Sequence, residues 1–259
     1  PWEWHGPIFK RAKQNGLICF SSPFDDTAVD FLEDLTVPAY KIASFENIHL
    51  SLIKKVASTG KPIIISTGMA NLAELEDIIS VLETEKCKNF ILLKCTSTYP
   101  ASPENSNILT IPYLKTLFGC EVGLSDHTMG IGTSVAAVAH GATVIEKHFT
   151  LNRNDGGIDS QFSLEPQEMK QLVNETKRAW QSIGEVFIGP SEKEKLSLKY
   201  RRSIYTTKDL KKGDKINKNN IRIIRPGLGL PPKYFDIILG RRVISDVKRG
   251  TPIIWKLIK

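Results

Sequence analysis

Two apolar runs end on histidine: "EVGLSDHT" (121–128) closes on Ser125, Asp126 and His127, and "ATVIEKHFT" (142–150) on Glu146, Lys147 and His148. Imidazole is the commonest metal ligand, so the pair can share one divalent ion that keeps positions open for water and a carbonyl oxygen. The alternative is that each histidine is merely hydrogen-bonded where it sits. Mixed nitrogen and oxygen ligation leaves manganese, zinc and iron open. Other apolar runs also finish in reactive or polar side chains: Ser22 after "GLICF", Lys41 and Ser44 in "YKIAS", Ser66, Thr67 and Gly68 after "KPIII", and Thr96, Ser97 and Tyr99 after "FILLKC". Lys41 needs an anionic partner if its head is buried, and otherwise snorkels to water. The "STG" turn ahead of a helix can hold a phosphate with its amides and hydroxyls, or can simply reverse the chain. Hydroxyls, a lysine and histidines gathered in this way suit an anionic substrate together with a metal.

Such residues converge only if the elements carrying them share one rim. Through residue 184 the chain repeats a β-branched apolar run, a polar tip, and a helix with apolar positions three and four apart. Asn71 with Glu74 has the spacing of a capping pair, Pro166 suits a first helical turn, and Gly184 suits a helix end. Runs apolar throughout, alternating with helices, indicate a parallel sheet covered on both faces. About six βα units can be counted, against the eight of a closed barrel. With Pro1 opening the sequence, the expectation is a (β/α)8 TIM-type barrel lacking its first two strands, whose strand C-termini gather the listed tips. An open doubly wound sheet is the alternative.

From residue 203 short strands with Gly and Pro punctuation replace helical periodicity, as in a small β-rich domain. The expected boundaries are a partial barrel over 1–190, a charged linker over 191–202 ("SEKEKLSLKYRR") and the small domain over 203–259. The polar segment 152–166, "NRNDGGIDSQFSLEP", is either a surface loop or a lid carrying the Asp159 carboxylate. Arg225, between a β-run and a Gly/Pro turn, is on composition alone a solvated arginine.

The 259 residues, 41% hydrophobic and 24% charged, are ordinary for a globular protein. No apolar run is long enough to span a bilayer and no leader-like segment opens the chain, so the expectation is a cytoplasmic protein with no membrane partner. Four cysteines without CxxC spacing fit a reducing compartment. The net charge of +7 is spread along the chain without a nucleic-acid recognition motif, so nucleic acid is not expected as a partner.

In this order and at these intervals, "SSPFD", "YKIAS", "KPIIISTGMA", "KCTSTYPA", "GLSDHT", "EKHFTL", "FSLEP", "IRPGLG" and "ILGRR" resemble the sialic acid synthase family of nonulosonic acid synthases. "PWEWH", "KCTS" and "DGGIDSQFS" are most similar to its pseudaminic acid branch. The resemblance implies a (β/α)8 barrel with a C-terminal antifreeze-like (SAF) domain, usually in a domain-swapped homodimer. It also implies condensation of phosphoenolpyruvate with an acetamido sugar. On that basis His127 and His148 bind a divalent metal, manganese first, with magnesium or cobalt as alternatives. Ser22, Lys41, Ser44, Ser66, Tyr99 and Ser125 hold phosphoenolpyruvate, Asp159 contacts the sugar, and Arg225 reaches an N-acetyl group in the partner's barrel. His127, His148, Lys41 and Asp159 form the expected catalytic set. The family's usual glutamate on the first strand and lysine on the second have no counterpart among these residues, and Ser97 stands where N-acetylneuraminate synthases commonly carry asparagine. Rival readings are an N-acetylneuraminate or legionaminic acid synthase, and a non-catalytic carbohydrate- or partner-binding protein.

Overall fold

The uninterrupted apolar runs become neighbouring parallel strands. In this computed structural model, which describes residues 1–259, β1 (Tyr40–Ile42), β2 (Ile63–Ser66), β3 (Phe90–Cys95), β4 (Glu121–Asp126) and β5 (Ile145–Lys147) form one sheet in chain order, every pairing parallel. Helices α1 (His5–Gln14) and α2 (Asp26–Asp34) precede β1. Helices α3 (Leu50–Ser58), α4 (Leu72–Thr84), α5 (Thr110–Phe118) and α6 (Gly132–Ala139) connect successive strands, and α7 (Pro166–Ile183) follows β5. The result is a parallel half-barrel whose strand C-termini share one rim.

The core lies between sheet and helices. Ile63, Ile65, Leu92 and Val122 from the strands meet Leu52, Ile53, Val56, Ile78, Leu82 and Ile111 from α3, α4 and α5, all fully buried. Each such side chain contributes roughly 1.5–3 kcal/mol of burial free energy. Local chemistry sets the helix ends. Asp25 accepts the Ala28 amide at 2.8 Å to start α2, and Asn71 and Glu74 form a reciprocal capping box on α4. Pro166 occupies the first turn of α7, and Gly184 is its C-cap.

Two expectations change. The strand anticipated at "GLICFSS" is a single parallel bridge, Ser21 to Tyr40, with the Lys41 amide donating to the Ser21 carbonyl at 3.2 Å. Leu17 and Ile18 are 66% and 79% exposed, so this run has a neighbour on one side only and no cover, and its ladder stops at one rung. The second change is α1, a helix that periodicity did not indicate. Its Phe9 packs on the core, while Trp2 and His5 lie against Phe31 of α2.

The chain divides at Gly184 into two units. In the second, Glu185–Lys259, β6 (Ser203–Thr206) pairs antiparallel with β7 (Ile221–Ile224). Isolated bridges such as Leu210 to Val247 and Val243 to Ile258 tie the later turns together. Ile204, Ile216, Ile221, Ile238, Val243 and Ile253 form its core. The stretch 191–202 carries the short helix α8 (Glu192–Lys195) and a single turn at Leu198–Tyr200, and α9 (Phe235–Ile238) comes later. No helix is long and apolar enough to cross a membrane.

Candidate active site

Side chains along a strand alternate between its two faces, so the β4–β5 register sorts the polar tips. Ser125 pairs with Glu146 and Asp126 with Lys147. Ser125 Oγ donates to Glu146 Oε1 at 2.6 Å, which places these two on the inner face. Asp126 and Lys147 occupy the opposite face, where Asp126 meets Ser134 of α6. His127 and His148, one residue further, return to the inner side with ring centroids 5.1 Å apart. Buried Phe162 lies 4.9 Å from the His148 ring, and Tyr99, itself 44% exposed, lies 4.4 Å from the His127 ring.

The ring nitrogens are differentiated. His127 Nδ1 is 2.9 Å from the Thr96 carbonyl, which can only accept, so this nitrogen carries the proton and the neutral ring keeps its lone pair on Nε2. His148 Nδ1 faces Asp159 Oδ2 at 3.6 Å. Burial alone would lower the His127 pKa, but hydrogen bonding with Cys95 and the Thr96 carbonyl outweighs it and the value is raised. Burial, then the neighbouring charge of His127, lowers that of His148. Cys95 Sγ lies 3.9 Å from His127 Nδ1; burial raises this thiol, yet hydrogen bonds from His127 and Ser44 prevail and bring it down to about 7.

His127, with Nδ1 bonded to a carbonyl, has the arrangement of a ligand whose second nitrogen serves a metal, and His148 has the Asp159 carboxylate near its Nδ1. The residues present therefore fit a divalent ion. No third His, Cys, Asp or Glu joins them in one cluster, so an ion held here would draw its remaining ligands from water or substrate oxygens.

Next to the histidines lies a cationic cradle. Lys41, on β1 and only 8% exposed, donates through Nζ to Ser66 Oγ at 2.7 Å and the Ile42 carbonyl at 3.2 Å, and sits 3.5 Å from Glu146 Oε2. Lys41 and Ser125 thus meet on the two oxygens of one carboxylate. Ser44 Oγ accepts the Gly68 amide at 3.2 Å, so the "STG" turn and the β1 tip are joined. Asn47, 2% exposed, braces that turn by donating to the Ser66 and Gly68 carbonyls at 3.1 and 3.0 Å. Ser22 is half-buried beyond the Ser21 bridge.

The 152–166 segment is ordered by its own charges. Arg153 donates through Nε to the Ser163 carbonyl at 3.0 Å and through its guanidinium to Glu168, while Ser163 Oγ donates to the Asp159 carbonyl at 2.7 Å. This chain of contacts holds Asp159 beside His148. Arg225 lies in the second unit, exposed at the end of β7.

Of the expected residues, the first unit brings Lys41, Ser44, Ser66, Ser125, Tyr99, His127, His148 and Asp159 onto the rim of one half-barrel. Sequence reasoning named Glu146 among the strand tips but gave it no role, although its position two residues before His148 places both on the same face. Nor did it select Asn47, whose role depends on a carbonyl-to-amide fit that no spacing reveals, or Glu46, whose buried Oε2 has no hydrogen-bond partner.

Comparison with known proteins agrees with this architecture. The NeuB family model matches residues 1–187, and the SAF domain model matches 201–259. The pseudaminic acid synthase of Campylobacter jejuni is 42% identical over 250 residues, which is 96% of this chain and 73% of that protein. The pseudaminic acid synthase of Helicobacter pylori is 42% identical over 255 residues, 98% of this chain and 75% of that protein. An N,N'-diacetyllegionaminic acid synthase, also from Campylobacter jejuni, is 39% identical over 247 residues, 94% and 74% respectively. Among solved structures, the N-acetylneuraminic acid synthetase of Leptospira borgpetersenii superposes with a TM-score of 0.72 at 33% identity, covering 76% of this chain and 69% of that one. Half-barrel, paired rim histidines, lysine–serine cradle and C-terminal β-rich unit thus occur together in a chain that belongs to the NeuB family and carries an SAF domain behind its NeuB region.

Proposed function

We propose that this nonulosonic acid synthase family member is a pseudaminic acid synthase. It would condense phosphoenolpyruvate with 2,4-diacetamido-2,4,6-trideoxy-altrose to give a nine-carbon keto acid and inorganic phosphate. The observation that carries the reaction type is the meeting of Lys41, Ser66, Ser125 and Glu146 beside two imidazoles on one rim. The altrose sugar is supported by 42% identity to two pseudaminic acid synthases. A legionaminic acid synthase is the second reading, favoured by the 39% relative.

In the reaction the C2=C3 electron pair of the enol phosphate would form a bond to the sugar aldehyde carbon, whose oxygen takes a proton to become a hydroxyl; water adds at C2, and the bond from C2 to the phosphate oxygen breaks as the added oxygen gives up its protons, leaving a ketone and inorganic phosphate. Lys41, with Ser44, Ser66 and Ser125, would hold the phosphate and carboxylate, exchanging their present protein acceptors for substrate oxygens. Their task is to place C3 against the aldehyde, a contribution of proximity and orientation. Glu146, which Lys41 and Ser125 contact, would oppose positive charge developing at C2. His127 and His148 would present Nε2 to manganese or another divalent ion. When bound there, that ion supplies Lewis-acid polarisation of a carbonyl oxygen. Asp159, held by the Arg153–Ser163 contacts, would accept from a sugar hydroxyl.

The test is phosphate release by the full-length protein with phosphoenolpyruvate, manganese and, in turn, the altrose sugar, its manno isomer and N-acetylmannosamine. Release with the altrose sugar alone, abolished by chelator, is the expected result; release with another sugar alone refutes the assigned substrate, and release with none refutes the synthase reading. Arg225 is assigned to an N-acetyl contact across a homodimer. Inactive Arg225→Ala and His127→Ala proteins, co-expressed as mixed dimers, should then regain activity by pairing an intact barrel with an intact arginine. Activity no higher than that of either variant alone overturns the shared site.

A further inference from the structure

A strand of three residues with no buried apolar side chain is a weak determinant of its own register, and β5 is such a strand, with Ile145 only half-buried. A slip of one residue would turn Glu146 away from Lys41 and point Lys147 into the site, because side-chain direction has a period of two. Besides the Ser125 and Lys41 contacts to Glu146 on the inner face, one fully buried group on the outer face opposes this slip. Asp126 and Lys147 are cross-strand partners whose side chains are 1% and 2% exposed, with Oδ2 and Nζ 2.9 Å apart. Asp126 Oδ1 accepts from the Thr128 amide at 2.8 Å and from Thr128 Oγ1 at 2.7 Å, and Oδ2 also accepts from Ser134 Oγ at 2.6 Å. Lys147 Nζ donates in addition to the Thr128 carbonyl. Every lone-pair direction of the carboxylate is filled, and the contacts bracket His127, between Asp126 and Thr128, and adjoin His148 through Lys147.

A buried ion pair adds little net stability over a well-packed apolar pair, whereas separating its members leaves two uncompensated charges in a dry interior. That asymmetry penalises the slipped register far more than it rewards folding. We infer that the Asp126–Lys147 pair, with Thr128 and Ser134, is the register pin of the β4–β5 junction, and that these positioning residues hold His127 and His148 at the spacing a shared divalent ion needs. The inference rests on the metal reading above.

The experiment measures manganese binding to the metal-free full-length protein from the electron paramagnetic resonance of free ion, with the thermal midpoint without metal and, separately, kcat and KM. Asp126→Asn, Lys147→Met and the double variant remove the pin. Ser134→Ala removes one of its donors, from α6 on the outer face of the sheet. His148→Ala controls for the ligand. The pin variants should bind manganese about 10-fold more weakly or worse, the scale of loss seen when groups that orient metal ligands are removed. The double variant should keep a metal-free midpoint near that of wild type, and kcat should fall with KM for phosphoenolpyruvate unchanged. Ser134→Ala should show a smaller loss of affinity and a smaller loss of midpoint than Asp126→Asn, because Lys147 still neutralises the carboxylate, so the outcome is decided even if Asp126→Asn does not fold. Manganese affinity within about twofold of wild type in folded pin variants and in Ser134→Ala, where loss of ligand positioning would exceed that, overturns the pin while leaving the metal reading standing. A wild type that binds no manganese, or a His148→Ala protein that binds it equally well, removes the metal reading and the pin with it.

Discussion

Replacing Gly68 by alanine probes the cradle at its tightest point. The added Cβ would stand 2.2 Å from Ser97 Oγ, 2.6 Å from Ser44 Oγ and 3.0 Å from Ser44 Cβ. The hydroxyls can rotate away, but the Ser44 Cβ cannot, so Ser44 must retreat and release the Gly68 amide that it now accepts at 3.2 Å. Losing that hydrogen bond costs about 1 kcal/mol, and the overpacking costs roughly 1–3 kcal/mol. Ligand binding should suffer separately, because a hydroxyl bonded to a charged group is worth roughly 1.5–3 kcal/mol. KM for phosphoenolpyruvate should therefore rise about 10- to 100-fold, at 1.4 kcal/mol per tenfold. Phosphate release at varied phosphoenolpyruvate and saturating sugar measures this, with a urea midpoint to register the packing cost. Ser97→Ala in the same chain deletes the 2.2 Å contact and should recover part of the stability without restoring KM, since Ser44 remains displaced. A folded Gly68→Ala protein with wild-type KM would refute the reasoning, because Ser44 could then have no part in holding the substrate.

Gly123→Ala should be more damaging to the fold than Gly68→Ala: its Cβ would meet the Val144 backbone carbonyl oxygen at 2.2 Å and Leu93 Cδ2 at 2.7 Å. A carbonyl cannot rotate aside, so the urea midpoint should report a cost of about 3 kcal/mol or more. Glu33 accepts from Tyr40 Oη and Lys61 Nζ, each at 2.5 Å; burial works against its ionised form, but those two bonds prevail and lower its pKa below 4.5. The unfolded chain then takes up this proton first, so the stabilisation is complete above pH 4.5 and is lost as pH falls through the lower folded value. With Glu33 more than a third exposed, screening keeps the effect to about 1 kcal/mol or less, and the gap between wild type and Glu33→Gln in urea titrations should narrow on acidification. Arg153→Ala should free Asp159 by breaking the link through Ser163. KM for the sugar should rise several-fold while KM for phosphoenolpyruvate holds, and equal rises in both would count against the assignment of Asp159 to the sugar.

The half-barrel was legible because its marks are local. "KPIIIST" and "FILLKC" carry apolar residues at consecutive positions, and both faces of β2 and β3 are covered; Asn71 with Glu74, and Pro166 with Gly184, bound α4 and α7. "GLICFSS" has the same local texture but forms one bridge, because a strand is completed by its neighbours, and Leu17 and Ile18 have none that cover them. Helix α1 escaped notice for the converse reason: Gly6 and Pro7 argue against a helix, but both stand in its first turn, where neither costs much, and few apolar residues mark its inner face.

The site was legible in residue types and illegible in their division of labour. "SDH" and "EKH" present a carboxylate beside a histidine in both strand tips, and nothing local says that Asp126 and Glu146 do opposite things. Register decides it. Because Ser125 pairs with Glu146 and not with Lys147, Glu146 turns inward to Lys41 while Asp126 turns outward to Lys147 and α6. The same pairing returns both histidines to the inner side. A carboxylate on one face thus meets Lys41 and Ser125 at the rim, and a carboxylate one register position away on the other face is spent within the protein, its lone pairs filled by Thr128, Ser134 and Lys147. Chemistry in these two tips is assigned by cross-strand pairing, a contact between residues twenty-one apart in sequence, so the substitutions that most disturb the reaction need not be confined to groups that touch a substrate.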